Sequence, residues 1–328
     1  MTKINKKSRL IGRLIDVLQV KNTHLLDIGA SGGLFNPFKS FLGLNDAIIH
    51  LIEPSKAHAD ALRIRYSGYK NLLIHEVGVF KECGTYKLNY SNTGGASLYH
   101  PDNSVVDRYV DYHASGGPNV NCEVEVLETD KWFKNQGITD ILIAKLDTQG
   151  CELDILRKGA DIFSKTSSIY TEAPMGHKYI EQSPLSEYFE YFESNDFELF
   201  DIIKNYSSLI IGSSRETFAK EELHLKPNWN GQNSVFRPRI MDGDILCFKK
   251  QDAIQSQQDL KKLIVAYAAM GYFLESYHAL SGLSAADVDV DDCKNTLKVL
   301  ISTNARFHDK YSMWRLAERV FGRYLASL

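Results

Sequence analysis

A chain of 328 residues, 44% hydrophobic and 24% charged, has the make-up of a globular protein with room for one large domain and an appendage. A net charge of −3 gives no bulk attraction to nucleic acid or anionic lipid, so neither is expected as a partner. Five dispersed cysteines without a C-x-x-C pair argue against a disulfide framework and a zinc ribbon, and fit a reducing cytoplasm.

In chain order, the basic run Lys3–Arg9 precedes apolar residues interrupted by Arg13 and Asp16, so a secretory signal is not expected. Leu10, Ile11, Leu14, Ile15 and Leu18 recur at helical spacing and predict an amphipathic helix within residues 1–22. His24–Ile28 reads as a buried strand running into Gly29-Ala30-Ser31-Gly32-Gly33, a turn without bulk. A helix around Pro37–Leu44 follows, its N–H groups and dipole facing a ligand. The spacing is not G-x-G-x-x-G, because Ser31 and Leu34 stand at two of the glycine positions. Asp27, just ahead of the turn, suits a cationic or hydroxyl-bearing ligand and would repel a pyrophosphate.

A second strand, Ala47–Ile52, is apolar on both faces, as a covered parallel sheet requires, and ends in Glu53-Pro54. Ser55 is placed to cap the next helix. Leu72–Val79 reads as a third strand, and Thr85–Tyr90 and Glu123–Leu127 as short alternating segments. Between those two lies a polar stretch from Asn92 to Asn121 whose Tyr99, His100, Tyr109, Tyr112 and His113 would suit a sugar ring. Ile138–Leu146 closes in Asp147, helix Cys151–Phe163 follows, and Ser168–Thr171 closes in Glu172. Helix Leu185–Ser194 and strands Phe197–Ile203 and Asp244–Lys249 complete a doubly wound, mostly parallel seven-stranded α/β domain over residues 23–250. Asn205–Asp242 is long for a connection, which suggests a lid or substrate wall.

From Gln251 only helical spacing remains (Leu260, Leu263, Ile264, Tyr267; Leu297, Leu300, Ile301; Trp314, Leu316, Val320, Phe321, Tyr324), giving a helical subdomain over residues 251–328. The longest apolar run, Leu263–Leu274, is too short to span a bilayer. Asp287, Asp289 and Asp291 do not form an EF-hand, since Asp292 and Lys298 fall where glycine and glutamate are required. Acids at a helix N-terminus account for them. His75-Glu76 is not a zinc motif, because Val79 stands where the second histidine belongs.

Four strand ends carry an acid: Asp27, Glu53, Asp147 and Glu172. In such sheets ligands bind outside the carboxyl ends of the strands. Glu53 can accept the ribose hydroxyls of an adenosine, each hydrogen bond to a charged acceptor being worth about 1.5–3 kcal/mol. NAD would use the same acid, whereas Asp27 favours S-adenosylmethionine, with its ammonium and cationic sulfur. Lys145–Ala160, with Asp147-Thr148-Gln149-Gly150-Cys151-Glu152 inside it, resembles the signature of FkbM-type methyltransferases. These are S-adenosylmethionine-dependent enzymes that typically O-methylate sugar or polyketide hydroxyls.

Leu25–Gly33, Glu53-Pro54, Gly94–Leu98 and Glu172 fall in the same order, so the resemblance covers residues 20–250. It implies a class I methyltransferase-like Rossmann fold with Asp27, Gly29, Ala30, Ser31, Gly32, Glu53, Pro54, Val77, Gly78 and Asp147 around the cofactor. Gln149 stands where the family often has Glu; it keeps hydrogen-bonding capacity, loses a charge and is not expected to act as a base.

Methyl transfer is an in-line displacement from a sulfonium, so the enzyme chiefly aligns the acceptor oxygen. A placed base adds about 10²–10⁴-fold for a sugar hydroxyl. Asp147, Glu172 and His177, in the loop after the fifth strand, are the candidates. A second arrangement puts Mg²⁺ between Asp147 and Glu172 to grip a diol.

A nucleotide-sugar oxidoreductase using NAD in a Rossmann-type site is the alternative; the chain lacks its G-x-G-x-x-G turn and its Tyr-x-x-x-Lys pair. A nucleic-acid methyltransferase would want Asn/Asp-Pro-Pro-aromatic where Asp147-Thr148-Gln149-Gly150 stands. The acids at the strand ends speak against a non-catalytic scaffold. The expectation is thus a cytoplasmic enzyme with a small-molecule or saccharide acceptor and no membrane span, a homo-oligomer being left open.

Overall fold

The computed structural model describes residues 6–90, 96–102, 104, 122–204, 208–209, 239–240, 242–284 and 288–305. In chain order the elements are α1 (Lys6–Leu18), β1 (Thr23–Ile28), β2 (Ala47–Ile52), α2 (Lys56–Tyr66), β3 (Leu72–His75), β4 (Gly78–Phe80), β5 (Gly84–Tyr90), β6 (Ala96–Ser97) and β7 (Cys122–Glu128). Then come α3 (Thr129–Gln136), β8 (Ile143–Leu146), α4 (Glu152–Lys158), α5 (Ala160–Phe163), β9 (Ser168–Pro174), α6 (Leu185–Ser194), β10 (Phe197–Lys204), β11 (Ser208–Leu209), β12 (Arg239–Ile240) and β13 (Asp242–Lys249). Helices α7 (Gln257–Met270), α8 (Phe273–Ala279) and α9 (Val290–Ala305) end the described chain.

Seven strands form the main sheet in the order β10-β13-β9-β8-β1-β2-β3. All neighbours run parallel except β13, which is antiparallel to both β9 and β10. The sheet is therefore mixed, as a mostly parallel sheet with one reversed strand. From β1 the chain builds outward through β2 and β3, then returns to start β8 on the other side. That reversal opens a crevice above the carboxyl ends of β1 and β8.

The strand period of two sorts the core. Leu25, Ile49 and Leu51 face one layer with α1 and the C-terminal helices; Leu26, Ile28 and Ile52 face the other with β4, β7 and α3–α6. Nine residues of α7 are buried, and Leu263, Ile264, Ala268 and Leu297 pack into the same cluster as Ile11 and Leu14. An apolar helix cannot stand off in water, and the described C-terminal helices share one core cluster with α1 and this face of the sheet. Trp314, Leu316, Val320, Phe321 and Tyr324 lie outside the described residues, as does most of 205–242, including any lid or substrate wall. At α9, Asp289 Oδ1 accepts the Asp292 N–H at 2.9 Å, as acids at a helix start should. Among the described residues no helix is long and apolar enough to cross a membrane.

Several boundaries differ from the sequence reading. The third strand stops at His75, and residues 78–80 leave the main sheet for a second one, ordered β4-β7-β5-β6, that walls the crevice. The helix after the glycine turn is a 3₁₀ segment, Asn36–Phe41, because Pro37 removes a donor and Phe38 and Phe41 are buried three residues apart. The helix after Asp147 breaks at Gly159, where a Cβ would lie 2.7 Å from the Phe163 ring and 2.9 Å from that of Phe133. β9 runs on to Pro174, so Glu172 lies within the strand.

One feature had no signal in any single strand. His24, His50 and His75 meet diagonally across β1, β2 and β3. His24 Nδ1 and His50 Nε2 are 3.0 Å apart, as are His50 Nδ1 and His75 Nε2, with rings stacked at 5.2 Å and Trp132 edge-on to two of them. Burial, reinforced by its two histidine neighbours, pushes His50 down to about 3, and burial also lowers His24 and His75. Neutral rings suit such a ladder, in which His50 gives one hydrogen bond and takes one while His24 and His75 supply the outer partners.

Candidate active site

The glycine turn is shaped by the approach of β1 to β8. Gly29 has φ +79, and a Cβ there would sit 1.9 Å from the Asp147 carbonyl oxygen, so only hydrogen fits. The N–H groups of Gly29 and Ala30 donate to the Ile52 carbonyl at 3.0 and 3.2 Å, turning the chain toward β2. The turn then folds back onto Asp27, whose Oδ2 accepts the Phe35 N–H at 2.9 Å, while the Leu34 N–H donates to the Tyr66 hydroxyl.

Asp27 is fully buried beneath this turn, directly opposite Lys145 in the β1–β8 register. Its Oδ1 lies 3.0 Å from Lys145 Nζ, which also donates to the Gly29 carbonyl at 3.0 Å and lies 3.5 Å from Asp147 Oδ2. Burial works against the Lys145 ammonium, but Asp27 and Asp147 outweigh it and hold the group above its ordinary range. Asp27 is thus spent on an internal ion pair and a backbone cap and does not line the crevice. Its expected direct role toward a cationic ligand is corrected: the sequence could not show that Lys145 would be its cross-strand neighbour.

Above the turn is a cavity of about 510 Å³. Gly29, Ser31, Gly32, Glu53, Pro54, Gly78, Lys145, Asp147, Thr148 and Gln149 are among the residues that line it, together with the apolar Val79, Leu88, Leu98 and Ile155. Of the residues expected around a cofactor, the fold gathers Gly29, Ser31, Gly32, Glu53, Pro54, Gly78 and Asp147 here. Ala30 is turned into the core, and Val77 packs against the second hydrophobic layer without lining the cavity.

Glu53 is buried at the end of β2. Its own N–H donates to the His75 carbonyl at 3.0 Å, and its Oε1 accepts the Ser55 N–H at 2.8 Å. Burial pushes its carboxyl upward, opposed by that N–H and by His58, 3.8 Å away. Ser55 stands at the N-cap of α2, but its hydroxyl makes no capping bond.

The wall after β8 is a tight loop. Gln149 has φ +58 and Gly150 φ +108; Glu152 accepts the N–H groups of Thr148 at 2.6 Å and Gly150 at 2.9 Å. Asp147 presents a carboxylate whose side chain is 44% exposed. The Gln149 amide donates to Asp147 Oδ1 at 3.1 Å and to Glu172 Oε2 at 2.7 Å, and Lys178 Nζ lies 3.3 Å from Glu172 Oε1.

The expected carboxylates are therefore brought together, with an amide between them. That amide is hydrogen-bonded to both carboxylates, and among the described residues no group of three or more His, Cys, Asp or Glu could hold a metal ion. The Mg²⁺ arrangement is therefore without support. Glu172 sits behind Gln149 and does not line the cavity. His177 is exposed and outside it too, while its neighbour Lys178 is buried. Lys145, Gln149 and Lys178 are the residues the sequence reading gave no role. The only signal was a lysine and a glutamine flanking a strand-end acid.

A sheet of this order, with its glycine-turn cavity and buried acid at the end of the second strand, is the frame of an S-adenosylmethionine-dependent methyltransferase. Residues 27–202 match the methyltransferase FkbM domain, and the chain belongs to that family. It is 26% identical over 183 residues to the 2-O-methyltransferase NoeI of Sinorhizobium fredii (strain NBRC 101917 / NGR234), covering 53% of this chain and 72% of that protein. Among solved structures, a precorrin-6y C5,15-methyltransferase from Geobacter metallireducens GS-15 aligns over 76% of this chain and 92% of its own, at 11% identity and TM-score 0.30. An rRNA methylase from Streptococcus thermophilus aligns over 76% and 99%, at 12% identity and TM-score 0.31. Family membership leaves the NAD-dependent oxidoreductase alternative without support.

The residues present fit S-adenosylmethionine. Small residues leave room for a ligand beside the backbone, Glu53 brings a buried carboxylate to the lining, and the buried Thr148 hydroxyl lacks a protein hydrogen-bond partner at the cavity wall.

Proposed function

We propose that this chain transfers a methyl group from S-adenosylmethionine to a hydroxyl of a saccharide or related small molecule, with residues 23–250 as the catalytic unit. The observation that carries the reading is that Glu53, the partly exposed Asp147 carboxylate and the glycine turn line one cavity. The likeness to a 2-O-methyltransferase supports a hydroxyl acceptor, and a net charge of −3 supports a small acceptor over nucleic acid.

The cofactor supplies an electrophilic methyl on a sulfonium. Gly29, Ser31 and Gly32 would follow its amino-acid end, Glu53 would receive the ribose hydroxyls, and Pro54, Gly78 and Val79 would bound the base. Lys145 fixes Asp147 from below, so Asp147 orients the acceptor hydroxyl and takes up its proton as the oxygen attacks. Glu172 acts through Gln149, and the exposed His177 contributes to neither step.

The test is methyl transfer from isotopically labelled cofactor to a panel of nucleotide sugars, oligosaccharide fragments and total RNA. Label appearing in a saccharide as an alkali-stable methyl ether is the expected result. Label in RNA alone would overturn the acceptor class, and failure to bind the cofactor in calorimetry would overturn the reaction.

A further inference from the structure

Gln149 is held in a conformation its side chain alone would not choose. Its left-handed backbone, φ +58, is rare outside glycine and persists only where the surroundings impose it. The Ser97 hydroxyl donates to its carbonyl at 2.7 Å, and the next residue, Gly150, has φ +108 with the Tyr179 ring against it. The twist turns one amide nitrogen toward two carboxylates, Asp147 Oδ1 at 3.1 Å and Glu172 Oε2 at 2.7 Å. An ammonium meets each carboxylate's other oxygen, Lys145 at 3.5 Å and Lys178 at 3.3 Å. The amide thus sits between two hard oxygen donors, the position a divalent cation takes when it joins a carboxylate pair.

We propose that Gln149 is a positioning residue that replaces a divalent cation between Asp147 and Glu172, aiming Asp147 at the acceptor and making methyl transfer independent of added metal. The amide offers two donors and no charge, so it aligns the pair without the tight, pH-sensitive binding a metal would need. The catalytic consequence rests on Asp147 facing the acceptor, as proposed above. The cation readout below needs no acceptor, so the two readings fail separately.

Gln149→Glu sets a third carboxylate against the other two, and three in hydrogen-bond reach do not all stay ionised unless a cation joins them. The experiment titrates Mn²⁺ alone into the full-length protein without cofactor and follows free Mn²⁺ by electron paramagnetic resonance. Gln149→Glu is expected to bind one equivalent at least about tenfold more tightly than the wild type, a difference that is one decade in dissociation constant. The double variant Asp147→Asn, Gln149→Glu should lose that gain. Binding no tighter than wild type, a gain that survives the double variant, or wild-type Mn²⁺ binding abolished by Glu172→Gln would each overturn the proposal.

A second readout keeps the wild-type residue at 149 and does not depend on the folding of Gln149→Glu. In protein labelled with [¹⁵N]glutamine, Asp147→Asn and Glu172→Gln should each move the same side-chain amide pair, the one missing from Gln149→Ala. If neither moves it, the bridge does not exist in solution. Once an acceptor turns over, wild-type kcat should be unchanged by EDTA and that of Gln149→Glu should fall and be restored by Mn²⁺; an EDTA-sensitive wild type overturns the replacement.

Discussion

Two polar rows cross this sheet, and they solve burial in opposite ways. At the carboxyl ends, Lys178, Glu172, Gln149, Asp147, Lys145 and Asp27 alternate in sign or are joined by an amide, so every charge has a partner. Within the β1–β3 face, His24, His50 and His75 stay neutral and hand one hydrogen bond along the row. The first row keeps charge next to the cavity, where chemistry needs it. The second avoids charge where Trp132 and the apolar layer could not solvate it. The rows should therefore break differently, one on losing a partner and the other on gaining a proton.

The largest effect should follow Lys145→Met. It keeps the stem but strands Asp27 as a buried charge without its counter-ion, and removing one member of such a pair costs about 3–5 kcal/mol. Denaturant unfolding should show that loss, and calorimetry a loss of S-adenosylmethionine binding because the Gly29 carbonyl is released too. An unfolding midpoint close to wild type would mean that Asp27 is not held by the pair. Gly29→Ala comes next: its Cβ would meet the Asp147 carbonyl at a φ alanine rarely adopts. A loss of roughly 2–3 kcal/mol is expected from strain of this kind, together with cofactor binding too weak to detect.

The two rows were not equally legible in the sequence. Strand β2 could be read because burial on both faces leaves a nearly continuous apolar run, and α1 because its apolar residues keep the helical period. Strands β1 and β8 could be read because apolar residues flank their single acid or lysine, although β8 begins at Ile143 and not at Ile138. The carboxylates Asp27, Glu53, Asp147 and Glu172 could be found as strand ends. What each one faces could not, because partners depend on register: Asp27 lies opposite Lys145, and nothing local to either segment encodes that pairing. The same holds for the histidines, which come from three strands and look unrelated until β1, β2 and β3 are aligned. The contacts of Gln149, though not the residue itself, were hidden for another reason. Its reach depends on a left-handed backbone residue, and a glutamine carries no hint of one. The third strand was read too long because apolar residues continue through Val79, although the chain changes sheets after His75.

A smaller change sharpens the charged row. Asp147→Asn keeps the shape at the cavity and removes the proton acceptor, so kcat should fall by about 10²-fold or more while cofactor affinity shifts little. Undiminished turnover would remove Asp147 from the reaction. Glu53→Gln should show the reverse pattern, cofactor affinity weakened about tenfold, the loss of one hydrogen bond to a charged acceptor, with kcat at saturation nearly kept.

The histidine row gives the gentlest effect and the one with a defined sign. All three rings have pKa values lowered in the fold relative to an unfolded value near 6.5, so the folded state holds fewer protons as acid is added. Stability contributed by the neutral ladder is complete above the unfolded value and is lost as pH falls from there toward the folded values, about 3 for His50. For His50 alone the loss between pH 7 and pH 5 amounts to about 2 kcal/mol, because the unfolded ring is protonated at pH 5 and the folded one is not. Asp140 opposes the shift at His24, so the outer ring should contribute less. His50→Phe fills the space beside Trp132 with a ring that cannot titrate. It should lower stability at pH 7, where His24 and His75 lose a partner, and flatten the slope between pH 7 and pH 5. Urea unfolding at the two pH values reads both. An undiminished slope in the variant would put the acid sensitivity elsewhere and leave the ladder a packing feature only.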